Sequence, residues 1–391
     1  MTSALRHPAV RTTPPPHLDL PPIRKLTRDA IAGALGEGRF LLVQGAMGLH
    51  ASDGLSGKVA SAPSRRFVPV GTVSAVGKTV EGLIGEIRRA RADAPDGYVG
   101  VNLMAALNHD DFETLAKAAL AEGVSFLVQG AGISREVIRW CREAQTPFFG
   151  IVSSGRLAAM YERWGADALV AEGSEAGGHI GDIGHPLAAL VKEVRAACTL
   201  PVIAAGGIVG TDIGELLRCG ADGVQMATRF IACTDGDAHP AFKRMHLGKT
   251  DDDVVVITST VKGMKARAIR NPFTEALAEG RAFPPKAKAW FYGREGYRGR
   301  RKSCIDCLAR DLCQCRESDF RESFCITDAL LRAAVLGDTE DGLFYSGSSV
   351  TKIPERTLEE LTDAHGLVAR IERELEAWEA ANLPMLRRAI A

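Results

Sequence analysis

A net charge is the first thing this 391-residue chain lacks: 48 Lys and Arg are set against 48 Asp and Glu. With no bulk field of either sign, neither nucleic acid nor an anionic membrane surface is expected as a partner. The basic stretch 294–302 is the one local exception and reads as a solvated loop. No apolar run has the roughly 20 residues that cross a bilayer, so no membrane association is expected. Residues 1–20 hold no apolar core of signal-peptide type and are rich in proline, which reads as an arm that is disordered or lies along the surface. Without a secretory signal, the nine cysteines are expected as reduced thiols or metal ligands of a cytoplasmic protein. A repeat at solenoid spacing is also missing. So is a Gly-x-Gly-x-x-Gly after a strand, which argues against a separate dinucleotide-binding domain.

What is present is the material of an α/β protein. Apolar residues make up 46% and charged residues 25% of the chain, and its length fits one α/β barrel with extensions. Short apolar runs at 41–44, 68–73, 98–104, 125–129, 148–152, 168–171, 202–205 and 223–226 read as strands. Their near-continuous apolarity is that of strands buried on both faces, and eight is the number a closed barrel needs. Helix-period segments lie between them, so parallel pairing with right-handed crossovers is expected. A TIM-type (β/α)8 barrel over 26–285 is the preferred architecture, between an arm at 1–25 and a C-terminal extension at 286–391. A doubly wound open sheet is the rival. Within 233–300 the pattern reads as helical and irregular, including 261–272. Ile326–Leu336 reads as a helix ended by Gly337. A long amphipathic helix is expected over 356–382, capped by Thr357 with Glu360. Its stripe of Leu361, Val368, Ile371, Leu375 and Trp378 would pack on the barrel or on a second copy in a homodimer.

Chemistry is concentrated after the strands. Gly206 and Gly207 follow the seventh strand, where adjacent glycines let backbone N–H groups approach an anion and the next helix adds its positive end. Thr228, just after the eighth strand, offers a hydroxyl and an amide from the other side. Paired loops after strands seven and eight are the phosphate grip of barrel enzymes. His179 follows the sixth strand behind Gly177 and Gly178, where an imidazole can move a proton beside a flavin ring. Gln44-Gly-Ala-Met-Gly48 lets the backbone pass along a flat ring, with Met47 as an adaptable wall. Asn102 and Gln129 end strands three and four and can donate amide hydrogens to ring carbonyls.

These residues, together with Glu172, the stretch 175–179, Ala205-Gly-Gly-Ile208 and 220–230, resemble the nitronate monooxygenase group, which includes the flavin-dependent enoyl-ACP reductases. The likeness runs on through Gly263-Met264, Arg267–Asn271 and Gly342–Ser348, most closely to the longer branch of the group. The resemblance implies bound FMN. Gly206, Gly207, Ala227 and Thr228 would hold its phosphate, and Ala46, Met47, Asn102, Gln129 and Gly178 would line the isoalloxazine. Glu172, Gly177 and Gln225 lie in the same motifs and complete the expected cofactor contacts. His179 matches the family base. Ala46 and Ala227 replace common glycines, a strain if either position needs positive φ. The implied activity is oxidation of a small-molecule nitronate or related carbon acid with O2. An NAD(P)H-dependent reductase of an enoyl thioester or quinone is the alternative, and a metal-cluster electron-transfer protein is an alternative of another class. Cys304, Cys307, Cys313, Cys315 and Cys325 suit zinc or an iron–sulfur cluster as thiolates, or else pack as free thiols.

Overall fold

The computed structural model describes residues 23–48, 52–104, 109–130, 132–181, 184–261, 264–279 and 326–390. The expected metal ligands Cys304, Cys307, Cys313, Cys315 and Cys325, the basic stretch and the arm to residue 22 lie outside them.

Eight parallel strands close into a barrel: β1 (Phe40–Gln44), β2 (Phe67–Ser74), β3 (Tyr98–Met104), β4 (Leu127–Gly130), β5 (Phe148–Val152), β6 (Ala168–Glu172), β8 (Val202–Ala205) and β9 (Gly223–Met226). β9 returns to β1 with Gly223 opposite Leu41. The expected strands are all present, and the rival open sheet is excluded. Burial on two faces explains the apolar runs. Leu41, Val70, Val128, Val170 and Ile203 fill the barrel interior, whereas Leu42, Val101, Leu127, Leu169 and Val202 face the helices. Phe126 and Phe149 stack inside at 4.5 Å. Helix α1 (Arg28–Gly36), capped by Thr27, lies by the strand starts. A cavity of about 280 Å³ lined by Arg24, Arg39, Leu41, Val68 and Tyr98 is at this end, remote from the loops that follow the strands.

The segment expected to be irregular contains a second sheet. β7 (Gly178–Ile180), β10 (Val254–Val261) and β11 (Met264–Ile269) pair antiparallel in the order β10-β11-β7. Residues 261–272 are therefore neither helical nor irregular as a whole. Along β11, Ala266 and Ala268 are buried while Lys265 is exposed and Arg267 half-buried, a period of two. The shift in register between Ile257 and Val261 hides this from a pattern search.

Ile326–Leu331 is helical and continues as a wide turn to Leu336, ended by Gly337 at φ 65°. The C-terminal helix runs from Ala364 to Ile390, starting eight residues later than expected. Thr357 makes no side-chain cap. Glu360 instead accepts the Arg356 N–H at 2.7 Å, and only a short 3-10 turn, Leu358–Glu360, forms there. Val368, Ile371 and Leu375 are buried in the same core as the barrel's helical layer, so this chain itself covers the stripe. At Gly214, in α8 (Ile213–Arg218), a side chain would collide with the Trp378 ring. Among the described residues no helix is long and apolar enough to cross a membrane.

Candidate active site at the barrel mouth

Alternation along the strands decides which side chains reach the mouth. Asn102, Gly130, Glu172 and Gln225 continue the inward rows, with Glu172 opposite Ala205 and Ala205 opposite Gln225. A β-carbon at Gly130 would sit 3.6 Å from the Asn102 amide nitrogen, and one at Gly45 would sit 3.2 Å from Gln225 Cγ. Gln129 has the parity of Leu127, which faces the helices. Its amide donates to the Gly132 carbonyl at 3.1 Å, and its Oε1 is buried without a protein donor. Met47 is clamped in its loop by Ser52, whose hydroxyl accepts the Met47 N–H at 3.1 Å and donates to the Met47 carbonyl at 2.8 Å.

At the other side of the mouth, Gly206 and Gly207 take φ of 107° and 65°. No L-residue adopts these conformations readily, and a side chain at Gly207 would also meet Glu175 and Ser348. Neither departure from the glycine pattern is strained. Ala227 has φ −112°, and Gln145 is the one described non-glycine residue with positive φ, which clears Ala46. The Thr228 hydroxyl accepts the N–H of Gly347 at 2.9 Å, leaving its own proton to be donated elsewhere.

Gly347 belongs to a strap, residues 345–348, that sequence reasoning matched to the family but gave no part in the site. The strap returns from the C-terminal extension into the mouth. Ser346 N–H bonds the Arg267 carbonyl at 3.3 Å and Ser348 N–H the Glu175 carbonyl at 3.0 Å. Gly177 abuts Ser346 and Gly347 so closely that a side chain has no room. From the other side Arg267 Nη1 donates to the carbonyls of Ser174 (2.7 Å) and Ala176 (2.5 Å), holding the loop between β6 and β7. Glu175 closes that loop by accepting the Leu187 N–H at the start of α7 (Leu187–Ala197). Only the resemblance flagged these partners; Arg267 lies more than 90 residues from the carbonyls it holds and Gly347 more than 110 from Thr228, beyond any local pattern.

His179 stands on β7, opposite Ala266 of β11, with the Tyr345 ring 5.6 Å away and tilted 64°. Burial pushes its pKa down to about 4, so the imidazole is a free base at neutral pH. Burial acts the other way on Glu172, raising its carboxyl to about 7. Behind the mouth, α9 (Thr228–Ile231) is anchored by Arg229, which is fully buried. Its guanidinium donates to Glu355 at 2.6 Å and to Glu374 at 3.3 Å, and Arg370 pairs with Glu355 from the other side.

Comparison with known proteins agrees with this arrangement. The family model described as nitronate monooxygenase matches residues 34–371. The (3aS,4S,5R,7aS)-5-hydroxy-7a-methyl-1-oxo-octahydro-1H-indene-4-carboxyl-CoA dehydrogenase of Mycobacterium tuberculosis is 30% identical over 213 residues, 54% of this chain and 59% of that protein. A probable nitronate monooxygenase of Staphylococcus aureus is 35% identical over 155 residues, 37% of this chain and 43% of that protein. The matches thus span between about two fifths and three fifths of these relatives' length. Among solved structures, FabK from Thermotoga maritima superposes with TM-score 0.70 at 28% identity, covering 93% of this chain and 99% of FabK. A nitroalkane oxidase from Streptomyces ansochromogenes does so with TM-score 0.67 at 25% identity, covering 89% and 99%. On the family match across most of its length, and on the barrel and mouth that accompany it, the chain belongs to the nitronate monooxygenase family.

Proposed function

We propose that the protein is an FMN-dependent oxidoreductase that oxidises a nitronate or related small carbon acid with O2. The observation that carries this reading is His179, half-buried on β7 in its free-base form, at the end of the loop whose Glu175 and Ala176 abut the positive-φ turn of Gly206 and Gly207. The mouth fits the cofactor. A phosphate finds the unhindered amides of that turn and the spare proton of Thr228, with Ala227 beside them. A flat polar ring finds the Asn102 amide and Gln225 on the inward rows, and the walls of Ala46, Met47 and Gly178, whereas Gln129, turned toward the helices, is left out of the ring contacts. Bound FMN supplies the two-electron acceptor that passes electrons to O2. The protein's own part is proton transfer and positioning. Neutral His179 takes the proton from the substrate carbon, a step commonly worth about two to four orders of magnitude. Glu172, protonated below about pH 7, presents a hydrogen-bond donor on the inner row. Gly177 lets the strap of Ser346 and Gly347 pack directly against the loop that leads to His179. Oxygen uptake with propionate 3-nitronate or a nitroalkane, without pyridine nucleotide, tests the reading; no uptake on any carbon acid overturns it.

The second reading, a reductase or dehydrogenase of a thioester that uses NAD(P)H, draws on the carboxyl-CoA dehydrogenase among the relatives. Anaerobic bleaching of the flavin by NADH or NADPH, with turnover on a CoA thioester, would favour it. For the cysteine cluster at 304–325 we retain zinc or an iron–sulfur cluster on the strength of ligand spacing. Among the described residues no group of three or more His, Cys, Asp or Glu side chains could hold a metal. A cytoplasmic location and a homodimer likewise rest on sequence alone.

A further inference from the structure

His246 is a fully buried histidine outside the reaction centre, yet it touches the strap that frames it. It closes α10 (Pro240–Met245), and both ring nitrogens face carbonyl oxygens: Nδ1 lies 2.8 Å from that of Phe242 and Nε2 3.1 Å from that of Tyr345. The rings of Phe242 and Phe344 enclose it at 4.8 and 6.3 Å, and Lys249 is the charged group that acts on it. Such a pocket costs a polar ring dearly unless its N–H is used. The residue whose carbonyl it holds, Tyr345, presents its ring to His179 at 5.6 Å and lies 3.5 Å from where a β-carbon of Gly178 would stand. Tyr345 is itself bridged to Ala268, on the strand that pairs with the His179 backbone. Both faces of the strap are thus fixed, one by β11 and one by the imidazole.

We propose that His246 is a positioning residue: in the tautomer that carries its single proton on Nε2 it donates to the Tyr345 carbonyl and holds the Tyr345 ring against His179, and this ring shields and orients the base. The role rests on His179 being the base of the proposed reaction, but it is tested without turnover. The purified protein, labelled with 13C and 15N in histidine, is titrated by NMR. The signal of His179 is assigned from its loss in His179→Gln. In the wild type His179 stays neutral through the range where a solvated imidazole charges. Tyr345→Leu and His246→Leu each raise its pKa by about one to two units as water reaches the ring. Tyr345→Phe keeps the ring and leaves His179 unmoved, and His246→Gln, whose amide also donates, restores most of the wild-type value. Where carbon acids are turned over, the acid limb of the kcat/KM profile moves with that pKa. A folded Tyr345→Leu with His179 unmoved overturns the proposal. So does His246→Leu that lowers Tm while His179 titrates as before, since that is a merely structural histidine. If His246→Leu does not fold, His246→Asn replaces it, whose shorter amide stops short of the Tyr345 carbonyl and must move His179. Absence of any oxygen uptake alongside the expected shifts would sink the functional reading and leave the positioning role standing.

Discussion

His179 and Glu172 face each other in their response to acid, because one cause, burial, displaces them oppositely. For His179 the folded pKa of about 4 lies below the ordinary 6.5, so the unfolded chain binds the extra proton between these values and stability falls as pH drops through that window. For Glu172 the folded pKa of about 7 lies above 4.5, so the folded chain binds the extra proton and stability falls as pH rises from 4.5 through 7. At about 1.4 kcal/mol per unit each is worth at most roughly 3 kcal/mol, and the two nearly offset. Flavin-free Glu172→Gln should therefore be more acid-sensitive between pH 7 and 4 than the parent. His179→Ala should instead gain stability as pH falls through the same range; urea melts at stepped pH decide this, and parallel profiles for all three proteins would refute it. On turnover, His179→Ala should lose about two to four orders of magnitude on protonated carbon acids with FMN still bound, whereas preformed nitronates are spared. Unchanged rates would show that the chemistry needs no protein base. The histidine was legible at this scale because glycines and a strand end flank it. The direction of Gln129 was not, since only the observed parity with Leu127 reveals it.

Among elements, the link between α9 and the C-terminal helix stands out. Arg229, Glu355, Arg370 and Glu374 join the turn that would hold phosphate to a helix over 120 residues later. Removing one partner of a buried pair strands the other charge and typically costs about 3–5 kcal/mol. Glu355→Ala should show that loss in denaturant melts and should release FMN on dialysis more readily than Arg65→Ala, which removes an exposed guanidinium that pairs with Glu372 and Glu376 of the same helix. Equal flavin retention in the two variants would uncouple the anchor from the site. The barrel strands were readable because burial on both faces leaves an unbroken apolar run. β11 was not, because Lys265 and Arg267 on its more open face interrupt the apolar run, and the segment read as helical and irregular. Thr357 failed as a cap because a backbone N–H four residues before Glu360 competes for that carboxylate.

For the whole molecule, the single shared core of barrel and C-terminal helix predicts one cooperative transition for these parts. The released flavin should be FMN, identified after heat or acid; FAD, or none from folded protein, would contradict the site. Metal analysis of protein prepared without air or chelator should give about one zinc per chain, or iron with sulfide, at the cysteines. Well under one equivalent leaves them as thiols.

The strap also sets an order of events during synthesis. A ribosome delivers all eight barrel strands by residue 226, but the groups that steady the mouth, Tyr345 to Ser348 and then Glu355 to Glu374, emerge more than 110 residues later. A nascent chain halted at residue 340 would own every strand and both glycines of the phosphate turn while lacking the partner of the Thr228 hydroxyl and the counter-charges of Arg229. Firm binding of the proposed cofactor should thus await residues well past the barrel, and a chain stalled at that length should hold FMN far more loosely than one extended through Glu374.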